Sequence, residues 1–134
     1  MTGTLNNTVP ARNDGYQGVQ FMYRNLNYSA DNAVARTIGK IPAGSIILKA
    51  LSGINVQTVT NAGTNNRIDI GTTATADLYG TDLATTALGF VPLDEAVGYR
   101  VSVDTTITAT LDLTGTAATT GDLDVIIAYL PPND

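Results

Sequence analysis

The chain has 134 residues, 43% of them hydrophobic, with a formal net charge of −5; that is enough apolar content for one domain with its own core. It contains neither Cys nor His, which excludes disulfides, removes the usual ligands of zinc, haem and iron–sulfur sites, and removes the commonest general base. The charge is lopsided: residues 1–67 hold six cations against two acids, and residues 68–134 hold one cation against ten acids.

Thr supplies 21 residues, whereas Glu occurs once and Lys twice, so β-branched strand formers displace strong helix formers and an all-β chain is expected. No apolar run approaches the ~18–20 residues of a membrane helix. The opening MTGTLNNTVPARND lacks the basic start and apolar core of a secretory signal, so synthesis and folding in a cytoplasm are expected.

Residues 1–15 are polar and without periodicity, and are predicted to be an irregular N-terminal arm, with residues 16–134 forming the folded domain. Gln17 to Tyr28 reads as a strand, with Val19, Phe21 and Tyr23 on one face and Gln20, Met22 and Arg24 on the other. Three of the six Tyr lie between residues 16 and 28, and Tyr beside Arg is the composition of interface anchors. Arg12, Tyr16, Tyr23 and Arg24 are therefore the candidate contact residues. Nucleic-acid stacking is the competing use of such a cluster, and the acidic balance of the chain argues against it.

Ala33 to Ile38 is a short strand candidate, and Gly39 to Gly44 turns the chain around Pro42. Ser45 to Leu51 and Ile54 to Thr60 follow as strands, then a polar loop over Asn61 to Asn66 and a strand over Arg67 to Ile70. Thr72 to Gly89 is the least regular region; a helical turn capped at Asp82 is predicted there, and Phe90 to Asp94 is predicted to turn around Pro92. In the last third, Val97, Tyr99, Val101 and Val103 alternate with polar or small residues. After a tight connection at Asp104, Ile107, Ala109, Leu111 and Leu113 alternate again, as do Leu123, Val125 and Ile127 beyond a Gly/Thr loop. Strict alternation means one buried and one solvated face. Roughly eight strands result, the number of an antiparallel two-sheet, jelly-roll-like sandwich. Its expected core is Ile46, Leu48, Ile54, Val56, Ile68, Ile70, Val101, Val103, Leu111, Leu113, Val125 and Ile127.

No catalytic constellation is visible. Asp104, Asp112, Asp122 and Asp124 fall on the outward phase of strands whose inward phase is Val and Leu, which is the pattern of a solvated face. There is no EF-hand loop, phosphate-binding Gly-rich loop or Ser-His-Asp set, so no metal, cofactor or enzymatic activity is expected.

Ile41-Pro-Ala-Gly-Ser-Ile-Ile, Thr58-Val-Thr-Asn-Ala-Gly-Thr and Ile68-Asp-Ile-Gly-Thr occur in that order, ahead of Ile107-Thr-Ala-Thr-Leu-Asp-Leu-Thr-Gly-Thr and Asp124-Val-Ile-Ile-Ala-Tyr-Leu. Over residues 40–130 this pattern resembles the small all-β decoration (cement) proteins of tailed-phage capsids. The resemblance implies a β-sandwich, often a homotrimer, bound to the major capsid protein on the outside of the shell at three-fold or quasi-three-fold positions. It implies a role in stabilising the shell against internal DNA pressure, with no catalytic residues and no nucleic-acid or membrane partner. A neck, tail or head-fibre component and a glycan-binding jelly roll are the alternative readings.

Overall fold

The computed structural model describes residues 18–97 and 99–132. Two antiparallel sheets pack face to face. One contains β1 (Gln20–Asn27), β9 (Asp122–Leu130), β4 (Gly53–Thr58) and β7 (Gly89–Pro92) in that order, with the two-residue β3 (Ile46–Ile47) also pairing with β9. The other is β2 (Ala35–Ile41), β8 (Thr105–Thr114), β5 (Asn65–Thr72) and β6 (Gly80–Ala84). With β3 set aside, strands 1-9-4-7 of one sheet face strands 2-8-5-6 of the other. Every chain-adjacent pair crosses between the sheets except the β5–β6 hairpin, which is the winding of a jelly roll.

The expected two-sheet, all-β architecture is therefore the observed one, and alternation in the central strands explains it. Ile107, Ala109, Leu111 and Leu113 point inward from β8, opposite Ile68 and Ile70 of β5, and each is at most 6% exposed. Leu123, Val125 and Ile127 of β9 meet them from the other sheet together with Ile54 and Val56 of β4, all buried. Where β1 crosses β2 the sheets come close: a Cβ on Gly39 would collide with the Met22 sulfur, so any larger residue there would push that side chain aside.

Between β3 and β4 the chain makes a 3-10 turn over Lys49–Leu51, which interrupts the ladder along β9. Two groups repair the gap. The Leu48 N–H donates to the Ala128 carbonyl at 2.8 Å, and the buried Ser52 hydroxyl accepts from the Ala128 N–H at 2.9 Å. The opposite end of the sandwich is closed by the Arg36–Asp31 ion pair (Nε–Oδ1 2.8 Å). Asp31 also accepts the Asn27 N–H, and Arg36 also donates to the Ala30 carbonyl.

Several sequence expectations are corrected. Val101 is buried, but among the described residues of 97–103 none lies in a strand: their one ladder contact is an isolated bridge from Arg100 to Ile46, and Val103 is 65% exposed. Alternation gives a segment the capacity to be a strand, but a strand needs a neighbour along its length, and here the neighbour ends after one residue. In β3 the buried side chain is Ile47, while Ile46 and Leu48 are half-buried, because an unbroken Ile-Ile-Leu run carries no phase. Asp82 caps no helical turn; it lies in β6 with φ 53°, its N–H donating to Asp69 Oδ1 at 2.7 Å, and Leu83 beside it fills the core. Pro92 ends β7 instead of heading a turn, and it is tolerated because β7 is an edge strand.

Candidate functional surface

β1 is an edge strand. It pairs with β9 along one side, from Gln20 opposite Tyr129 to Asn27 opposite Asp122, and no strand pairs with its other side among the described residues. Its phase is set by Met22 and Leu26, which pack into the core, so Phe21, Tyr23 and Asn25 must face out. Phe21 is 60% and Tyr23 73% exposed, with Val19 leading into them at 37%. On β9 the residue opposite Tyr23 is the half-buried Ile126, which extends the apolar patch onto the next strand. The other end of the same face is acidic: Asn25 Nδ2 donates to Asp122 Oδ1 at 2.5 Å and to Asp124 Oδ1 at 3.0 Å. The outward face of β1 and β9 thus runs from aromatic to carboxylate.

Tyr23 and Arg24 are neighbours in the chain but lie on opposite faces of β1. The Arg24 guanidinium does not join the aromatic patch; it crosses the open side of the sandwich and donates from Nη1 to the Thr37 carbonyl of β2 at 2.9 Å. That bond straps the two sheets together where neither has a further strand. Arg12 and Tyr16 lie outside the described residues, as does the predicted arm over residues 1–15. Sequence reading passed over Phe21, although its signal was present: it shares its phase with Tyr23.

The acids behave as surface groups. Asp112 holds Arg67 (Nε–Oδ2 2.7 Å) across the outer face of the second sheet, with Asp82 at 3.1 Å from the same nitrogen. This raises the Arg67 pKa, chiefly through the hydrogen bond to Asp112. Among the described residues no group of three or more acids is placed to hold a metal ion.

The fold and this edge define a small jelly-roll domain that presents an aromatic patch from a strand with one side unpaired. No family profile and no curated protein matches the sequence. Among solved structures, a chain of the cyanophage Pam1 capsid asymmetric unit is similar from end to end. It has a TM-score of 0.70 at 15% identity, over 98% of this chain and 97% of that one. At that identity the likeness shows a shared fold, in a chain of nearly equal length.

Proposed function

We propose that this protein is a non-enzymatic structural component of a tailed-phage virion, bound to the outer surface of the capsid as a homotrimer that stabilises the shell. The observation that carries the reading is the edge strand β1, where Phe21 and Tyr23 stand in water from a domain whose own core is complete without them. An unpaired edge with apolar side chains is normally blunted or covered in soluble proteins. Tyr is also among the residues that most often carry interface energy. The fold likeness to a chain of a capsid asymmetric unit supports the same reading. The docking segment is residues 2–28, of which β1 is the described part, and its partner is the major capsid protein. The positive N-terminal half contributes mainly to encounter, since at ~0.15 M salt charges are screened beyond ~8 Å.

Adding purified protein to undecorated capsids tests this. Phe21→Ala with Tyr23→Ala should leave the melting temperature nearly unchanged and weaken capsid binding by at least about 100-fold, as the loss of two anchor residues does. Removing residues 2–15 should weaken binding while leaving the domain folded. Unchanged occupancy with both variants would overturn the assignment of this surface. Light scattering should give three times 13.9 kDa, and a monomeric mass at micromolar concentration would refute the trimer. A virion copy number of only a few, in place of hundreds, would assign the protein to the neck or tail.

A further inference from the structure

Residues 99–104 form no strand, yet they are fixed at two points. The Gly44 N–H donates to the Val101 carbonyl at 2.7 Å and the Val101 N–H to the Ser45 carbonyl at 3.0 Å. Three residues later, Asp104 Oδ1 accepts the Ala43 N–H at 2.9 Å. Between this segment and the end of β5 lies an open cleft of about 570 Å³. Tyr99 presents a ring 46% exposed, backed by the buried Tyr79 with ring centroids 6.3 Å apart and planes inclined by 35°. Burial, and then hydrogen bonding with Tyr99, raises the pKa of the Tyr79 hydroxyl. Next to Tyr99 stands Arg100, exposed and making no ion pair among the described residues. Ser102, Thr72 and Thr73 bring hydroxyls to the same cleft, and Asp104, whose Oδ1 is engaged by the Ala43 N–H, brings one carboxylate to its lining.

An aromatic face, one guanidinium without an ion pair among the described residues, several hydroxyls and a carboxylate already tied to the Ala43 N–H share this concavity. We infer that this cleft binds a saccharide bearing a carboxylate, of the uronic or sialic acid type, with its C–H face on Tyr99 and its carboxylate on Arg100. The aromatic ring offers a flat surface to the C–H groups of a pyranose. A guanidinium matches a carboxylate with two parallel N–H···O bonds. The Ser and Thr hydroxyls, each both donor and acceptor, suit the ring hydroxyls of a sugar. A purely apolar ligand would leave these polar groups unpaired. A polyanion such as a sulfated chain or nucleic acid would meet a single cation on a molecule of net charge −5. The cleft shares no residue with β1, so the inference stands apart from capsid docking.

Saturation-transfer NMR on the full chain tests it, with the methyl glycosides of glucuronic acid, N-acetylneuraminic acid and glucose as probes. At least one of the two acidic sugars should bind, with glucose at least about 10-fold weaker. Arg100→Gln should remove that preference, with the melting temperature unchanged because Arg100 is exposed. Tyr99→Ala should abolish binding, and Tyr99→Leu, which keeps apolar bulk without the ring, should do the same should the alanine variant unfold. Phe21→Ala should leave sugar binding intact, which separates this site from the capsid surface. Binding of neither acidic sugar, equal binding of glucose, or full binding by the folded Tyr99 and Arg100 variants would each overturn the proposal.

Discussion

Leu111→Ala and Val103→Ala form a matched pair, because both residues sit in alternating apolar patterns and only one of them is in the core. Leu111 is 1% exposed within β8, opposite Ile68 of β5 and bridged on its other side by Asn32, just before β2. Truncation removes three carbons, worth about 2.4 kcal/mol at ~0.8 kcal/mol per buried methylene. Paired backbone on both sides prevents collapse, so the residual cavity adds about 1–2 kcal/mol, for a total near 4 kcal/mol. At ~4 °C per kcal/mol for a domain of this size, the melting temperature should fall by about 15 °C. Val103 is 65% exposed, and its truncation should stay within ~0.5 kcal/mol, about 2 °C. Thermal melts by circular dichroism should be run at one fixed protein concentration, because association would shift both values. Comparable losses at the two positions would mean that the 97–103 segment is a core strand after all, and the packing described above would be refuted.

Arg36→Ala should cost about 1–2 kcal/mol, reduced from a fully buried pair because Arg36 is 31% exposed, and leave the Asp31 carboxylate short of a partner; an unchanged melting temperature would deny the closing role of this pair. Ser45→Ala should stabilise by about 1 kcal/mol, since the Ser45 hydroxyl is buried without a hydrogen-bond partner among the described residues; a loss of stability would show that it has one. Tyr79, with its pKa raised above the ordinary value of 10.0, contributes stability that is complete below pH 10.0 and is lost as the pH rises toward the folded-state value. Urea midpoints should therefore decline above that pH, and Tyr79→Phe should flatten the decline; an equal decline in the variant would assign it to other groups.

The sequence carried the sandwich because β8 and the first part of β9 alternate and β5 places Ile68 and Ile70 in one phase, and a pattern of period two has only one way to bury itself. It did not carry β3, where three consecutive apolar residues hide the phase and the burial of Ile47 over Ile46 is decided by the partner strand. Nor did it carry β6, where Asp82 takes a backbone conformation that local propensity disfavours and that its hydrogen bond to Asp69 supports. The candidate surface was half legible. Tyr with Arg pointed to β1, but which of two adjacent side chains faces outward depends on Met22 docking over Gly39, a contact between strands that no local pattern reveals. The cleft was hidden altogether, because its Tyr and Arg occupy positions where alternation predicts an ordinary strand.

The place of β9 sets a constraint on synthesis. This strand lies between β1 and β4 inside its sheet, yet it is the last of the described strands in chain order. Until residues 122–130 emerge, β1 has no partner, β4 has only the short β7, and the buried side chains of both are uncovered. This sheet therefore cannot close until its last strand is made, and closure joins residues as far apart as Gln20 and Tyr129, which places the domain among slow folders of high contact order. Nascent chains halted before residue 122 should be degraded or captured by chaperones, and a stop codon or frameshift in the last strand should be as damaging as one in the first.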